Sequence, residues 1–316
     1  MQQPRLATES IAGLRPYQED AVLTKTLADG RLLVAVADGM GDHAAGGVAS
    51  ALALETLVEA LEGEQALDAA FRLANQRVNE KAREPGKQGM GTTMVAVLLD
   101  SSGYSVVNVG DSRAYVISDS GARRITEDHS FVAEALKRGQ SEEEAQSSQW
   151  KDALTRSIGT DAEVEVDVFG PFSVEENAAI FLCSDGLYKT LTDSDLGDLY
   201  LQSGGPRGAA QALVSAAYER GSDDNITVAI AEFGEVPRAR AVGTMPLEFE
   251  PPDEVAKPEP PEPGDSVEGA TRTEHAVTPS EAGETSPARS GPPVGLILGV
   301  VVIVTVAVIL LLVLRG

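Results

Sequence analysis

Over the first 233 residues, short apolar runs of strand length come in groups, and longer segments of helical period separate the groups. Leu32 to Ala37 (LLVAVA) has no turn former, which predicts a strand buried on both faces. It ends on Asp38, and Gly39, Gly41 and Asp42 follow at once. Thr8–Leu14 and Ala21–Leu27 read as strands around the turn-like RPYQED. Thr92–Leu99, Tyr104–Val109 and Arg113–Ile117 read as three more, and Val164–Phe169, Ala179–Cys183 and Ile226–Phe233 complete the set. Helical spacing marks the Ala- and Leu-rich stretch from about Gly47 to Gly63, then Glu64–Glu84 stopped by Pro85-Gly86, and finally Asp195–Gln202 and Pro206–Arg220. Phe131–Arg138 and Glu142–Ser147 are predicted as short exposed helices. They lie in a charged stretch, running to about Asp152, that has little to bury and is expected to form a flap. Strands grouped as hairpins, with helix pairs between them, predict an α+β fold with helices packed on antiparallel sheets.

The pattern changes near Gly234. Twelve of the 17 prolines lie between Pro237 and Pro293, among Glu, Ser, Thr and Gly, the composition of an extended linker. Val294 to Leu314 is free of charge. At about 1.5 Å per residue it would cover roughly 31 Å, matching a hydrocarbon core of about 30 Å. The expected organisation is a globular domain over 1–234, a disordered Pro/Glu-rich linker over 235–293 and a transmembrane helix over 294–314. The first 30 residues hold no apolar stretch of signal-peptide length, so the globular part is expected in the cytoplasm, held at the cell membrane by a single C-terminal anchor. The net charge is -24, of which about -18 falls before Gly234. That balance argues against nucleic acid as a partner, because phosphate backbones call for Lys and Arg. Cys183 is the one cysteine, inside an apolar run, so no internal disulfide forms and a buried inert thiol is expected.

Candidate chemistry collects where strands end. Glu19, Asp20, Asp38, Asp111, Asp185 and Asp224 each sit beside a strand end or tight turn. Any one of them reads most simply as a solvated turn residue. The recurrence of Asp beside Gly at the ends of separate apolar runs points instead to one shared site. Oxygen ligands without a Cys or His cluster suit Mg²⁺ or Mn²⁺. Bound cations would also invert the local sign of an acidic surface.

In order along the chain stand R-x-x-x-E-D (Arg15 to Asp20), DGMG-x-H (Asp38 to His43), MGTT (Met90 to Thr93) and GDSR (Gly110 to Arg113). T-x-DHS (Thr126 to Ser130), LTRSIG (Leu154 to Gly159), SDG (Ser184 to Gly186) and DNIT (Asp224 to Thr227) follow. This ordered set closely resembles the metal-dependent protein phosphatase (PPM, type 2C serine/threonine phosphatase) family in its bacterial form, from about Thr8 to Phe233. The resemblance implies two antiparallel sheets packed as a sandwich flanked by helix pairs. It implies two Mn²⁺ or Mg²⁺ ions bridged by Asp38, with the Gly39 carbonyl on one ion and Asp185 and Asp224 on the other. Glu19 would act through water, Asp20 would bond a coordinated water, and Asp111 with Asp185 would take a weaker third ion. A hydroxide between the ions would attack phosphorus, Arg15 would grip the phosphate and His43 would protonate the leaving oxygen. Three positions depart from the family pattern: Gln18 for Asn, Asp42 for Gly, and Ser157-Ile158 before Gly159. Asp42 beside His43 is expected to favour the protonated imidazole.

The expected function is hydrolysis of phosphoserine and phosphothreonine in proteins, acting on Ser/Thr kinases and their substrates at the membrane, with a monomeric catalytic domain. The rival readings are a catalytically inactive phosphoprotein-binding scaffold and a small-molecule phosphoesterase.

Overall fold

The structure, a computed structural model, describes residues 3–41 and 44–236. Asp42, His43, the linker from 237 onward and the apolar span 294–314 lie outside the described residues. Among the described residues no helix is long and apolar enough to cross a membrane.

Two antiparallel sheets stack face to face. The first runs β1 (Arg5–Ile11), β11 (Ile226–Phe233), β10 (Ala178–Cys183), β7 (Arg113–Ser118) and β8 (Gly121–Arg124). The second runs β2 (Asp20–Thr26), β3 (Leu32–Met40), β5 (Met94–Asp100), β6 (Gly103–Val109) and β9 (Asp167–Phe172). A two-residue strand, β4 (Gly91–Thr92), pairs with the far end of β3 at Gly39 and Met40. Helices α1 (Ala45–Glu62) and α2 (Leu67–Lys81) cover the second sheet, and α6 (Asp193–Gln202) and α7 (Pro206–Glu219) cover the first.

Period-two alternation explains why the strands read as continuous apolar runs. In β3, Val34 and Val36 point between the sheets, where they join Val116, Ile180, Leu182 and Ala229. Leu33, Ala35 and Ala37 point the other way, into a cluster with Leu57, Leu61 and Phe71 from the helices. Strand β10 divides in the same manner: Ile180 and Leu182 face the inter-sheet core, while Phe181 and Cys183 pack under Leu196, Tyr200 and Leu213. A strand with helices on one face and a sheet on the other has no polar side to show. Cys183 is fully buried, and burial pushes its thiol above the usual range.

The differences from the sequence-based boundaries lie at edges and turns. Strand β1 spans Arg5–Ile11 rather than Thr8–Leu14, because the chain turns at Gly13, whose φ is 61°. A Cβ there would come within 2.3 Å of the Asp224 carbonyl, so the turn fits only glycine. Strand β8 carries Gly-Ala-Arg-Arg and no apolar pattern, as suits a short charged edge. Strand β9, an edge of the second sheet, begins at Asp167 instead of Val164 and accommodates Pro171 because an edge can spare a donor. A helix of four residues, α5 (Asp185–Tyr188), is too short to show a period. Val236 packs into the core beneath α6 and α7, two residues beyond the expected end of the domain.

The charged stretch forms two capped helices, α3 (Phe131–Lys137) and α4 (Glu142–Gln146). Ser130 caps the first, and Ser141 with Glu144 makes a capping box on the second. They bury little beyond Ala135 and Ala145. The flap is closed at its base by Phe131 N–H donating to the Ala153 carbonyl at 2.8 Å and Thr155 N–H to the His129 carbonyl at 2.9 Å.

Candidate active site

The ends of both sheets meet in a cleft of about 770 Å³, whose lining includes Arg15, Glu19, Asp38, Asp111, Asp185 and Asp224. Asp20 lies buried just behind it. A second hollow of about 420 Å³ beside β1 has a single acidic side chain, Glu9, and is set apart from this cluster.

Each acid is placed by local chemistry. Asp38 stands directly opposite Asp20 in the β2–β3 register. Its backbone is pinned on both sides: the N–H donates to Thr93 Oγ1 at 3.1 Å, and the carbonyl accepts from Thr93 N–H and Thr92 Oγ1, each at 2.8 Å. Asp38 keeps some contact with solvent at the cleft mouth although protein surrounds it densely. Gly39 leaves no room for a side chain, since a Cβ would lie 2.2 Å from the Gly46 carbonyl oxygen and 2.5 Å from that of Glu19. Glu19 Oε1 accepts from Gly46 N–H at 3.1 Å in the first turn of α1, where a helix favours negative charge. Asp20 Oδ2 accepts from Ser184 Oγ at 2.7 Å. From the other sheet, Asp185 opens α5 and Asp224 precedes β11. Asp111 sits in the turn between β6 and β7.

The acids crowd one another. Burial, reinforced by Asp20, Asp185, Asp111 and Asp224, raises Asp38 well above the ordinary carboxylate range. Burial also pushes Asp20 up to about 7 against the opposing bond from Ser184, and Asp111 up to about 7 with help from Asp185. Asp224 is raised by burial and then by Asp185, and Glu19 by burial against its bond from Gly46.

Two cationic side chains relieve part of this strain. Arg15 donates from Nη2 to Asp224 Oδ2 at 2.8 Å and from Nε to the Asp223 carbonyl at 2.9 Å. Lys189 lies 2.5 Å from Asp185 Oδ2. Burial alone would lower the Lys189 ammonium, but Asp185, Asp111 and Asp152 outweigh it and hold it above its usual range. With Asp185 turned to Lys189 and Asp224 to Arg15, no three acidic, His or Cys side chains among the described residues converge into a closed ligand shell.

The donor set nevertheless fits hard cations. It is all oxygen, it is crowded with like charge, and the buried Asp20 Oδ1 and Asp185 Oδ1 have no hydrogen-bond partner. An anionic oxygen buried without a donor is costly unless a cation answers it.

Some residues of the site lay inside the sequence motifs without a role assigned to them. Asn225 is the main one. Its Oδ1 accepts from Glu19 N–H at 2.7 Å, and its Nδ2 donates to the Ala12 and Tyr17 carbonyls at 2.9 Å each, so one buried amide shapes the turn that carries Arg15 and Glu19. Thr93, bonded to Ser112 at 2.7 Å, steadies Asp38, and Ser184 steadies Asp20. His129 lies under the flap base with Nδ1 accepting from Gly110 N–H at 3.0 Å, which places its proton on Nε2, 3.1 Å from Asp167. Burial lowers this imidazole below its usual range. His43 and Asp42 lie outside the described residues.

Residues 16–216 match the family model for protein phosphatase 2C. The chain belongs to the protein phosphatase 2C family. It is 35% identical over 240 residues to the serine/threonine phosphatase stp of Listeria welshimeri, an alignment covering 72% of this chain and 94% of that one. The fold is similar to the serine/threonine phosphatase Stp1 from Staphylococcus aureus, with a TM-score of 0.68 and 30% identity over 73% of this chain and 96% of Stp1. It is also similar to the catalytic domain of the phosphatase PstP in complex with two manganese ions, with a TM-score of 0.62 and 30% identity over 74% of this chain and 99% of that domain. This protein phosphatase 2C is a protein serine/threonine phosphatase, and its membership implies a divalent-cation cofactor.

Proposed function

We propose that this phosphatase hydrolyses phosphoserine and phosphothreonine in proteins with two Mn²⁺ or Mg²⁺ ions held between Asp38, the Gly39 carbonyl, Asp185 and Asp224. The observation that carries this reading is the convergence of buried, mutually repelling carboxylates from both sheets in a cleft that also holds Arg15. When bound, the cation pair supplies charge neutralisation for the phosphoryl oxygens and a water of lowered pKa. The chain's own groups do the rest. Thr92 and Thr93 fix the backbone at Asp38, and Ser184 orients Asp20 toward that centre. Arg15 presents a planar guanidinium whose Nη1 makes no hydrogen bond among the described residues, while Nε and Nη2 hold it in place. That fork matches phosphate oxygens. Lys151 and Asp152 bring the flap to the cleft wall, where they would meet the peptide around the phosphoresidue. His43 is proposed as the acid for the leaving oxygen, with Asp42 favouring its protonated form.

The proposed setting is the cytoplasmic face of the cell membrane, with the uncharged segment 294–314 as anchor and the proline-rich segment 235–293 as tether. Its proposed partners are Ser/Thr kinases and their substrates, and the catalytic domain acts as a monomer. A tether raises the local concentration of membrane-bound partners.

The test compares phosphate release by the full chain from a phosphothreonine peptide and from a small aryl phosphate, with Mn²⁺ and with chelator. Mn²⁺-dependent turnover with the peptide preferred is expected. Metal-independent turnover, or none with either substrate, would overturn the reading, and preference for the aryl ester would shift it to small-molecule chemistry. Loss of membrane association on deleting 294–314 tests the anchor.

A further inference from the structure

The cation-binding capacity of the cleft is uneven from one side to the other. Asp20 and Asp185 each keep one buried carboxylate oxygen without a partner, but among the described residues the supports around Asp20 and Asp38 are hydroxyls and backbone groups, with no cation paired to either acid. The side formed by Asp111 and Asp185 is furnished differently. Lys189 follows α5 four residues after Asp185, so the two side chains share one face of the turn. Its ammonium lies 2.5 Å from Asp185 Oδ2 and also faces Asp111 and, across from the flap, Asp152. The neighbouring Tyr188 lies under the Arg113 guanidinium, 3.4 Å from the ring centre, while that guanidinium forks onto Asp128 at 2.7 and 3.0 Å. The residue three places after the SDG motif therefore brings a chain-borne positive charge to the two acids that the family resemblance assigns to a weaker third ion, paired with Asp185 and within the field of Asp111.

We propose that Lys189 occupies the place of that third ion as a cation tethered to the chain, so that the protein takes up two divalent ions and no more. This rests on the two-cation reading of the proposed function. A lysine ammonium at the end of a four-carbon stem is a poor substitute for a divalent ion at coordinating several oxygens, but it supplies charge at no cost in ion binding. Being part of the chain, it keeps positive charge at this side of the cleft whatever the ion concentration.

The experiment is Mn²⁺ titration of the chelator-stripped full chain, with bound ion counted by equilibrium dialysis and by the loss of free-ion paramagnetic resonance signal. The parent is expected to bind two ions. Lys189→Met, which keeps the length and loses the charge, is expected to add a third, weaker class, and Lys189→Arg is expected to stay at two. Circular dichroism checks that the variants fold, and Lys189→Gln carries the same expectation as Lys189→Met should that variant fail to do so. Three ions on the parent, or two on the neutral variants, would overturn the proposal while leaving the two-cation site intact. Fewer than two on the parent would remove the site reading itself, and the proposal with it.

Discussion

Replacing Asp20 by Asn is expected to make the metal-free protein more stable while disabling the enzyme. Asp20 titrates near 3.8 when unfolded and is pushed up to about 7 in the fold by burial. Between those values the native state holds a proton that the unfolded state has lost. Stability must therefore fall as pH rises through the window from about 4 to about 7, and the native protein above it carries a strained carboxylate. At about 1.4 kcal/mol per unit, the ionised group weighs on the fold by roughly 4 kcal/mol at pH 8. Asn has nearly the same shape and no charge, and its oxygen can still accept from Ser184, so it removes this burden without opening a cavity. The assay is urea unfolding of parent and Asp20→Asn full chains in chelator from pH 4 to pH 8. The difference should be small near pH 4, grow in favour of the variant, and level off above about pH 7. Saturating Mn²⁺ should then stabilise the parent more than the variant. A variant less stable than the parent at pH 8, or a difference that ignores pH, would refute the reasoning.

Two further outcomes follow from the geometry. Asn225→Ala removes one acceptor and two donors from part-buried backbone partners, so it should destabilise by about 1–3 kcal/mol in denaturant unfolding and weaken substrate binding through Arg15, seen as a raised KM. Gly39→Ala would force a methyl to within 2.2 Å of the Gly46 carbonyl oxygen, costing about 1–3 kcal/mol or more in stability and lowering Mn²⁺ affinity by calorimetric titration, whereas Gly30→Ala at an open turn should leave affinity unchanged.

The layers of this molecule were legible because burial on two faces leaves a strong mark. Ile226–Phe233 falls where the apolar run places it, and β3 follows the LLVAVA run before extending past Asp38 to Met40. Two of the four edges were poorly legible: β8 is polar because it faces water, and β9 carries a proline that a central strand would refuse, whereas the edge strand β2 lies within one residue of its expected bounds. The acids could be named because each sits beside a strand end or tight turn, and the structure brings Glu19, Asp38, Asp111, Asp185 and Asp224 to one cleft with Asp20 behind it. What the pattern could not supply was the neutral scaffolding. Asn225, Thr93 and Ser184 act through hydrogen bonds between segments tens to hundreds of residues apart, and no periodicity encodes such a bond. Lys189 shows no signal at all in a sequence with 25 Lys and Arg residues; only its placement four residues after Asp185 in a one-turn helix distinguishes it.

The acids do not belong to one sheet. Asp20 and Asp38 ride on β2 and β3, Asp185 and Asp224 on the ends of β10 and β11, and Asp111 on the link between β6 and β7. Any ion that binds among them is thus a rivet through the seam of the sandwich. Its binding energy resists sliding of one layer past the other, and the two halves melt together when it is present.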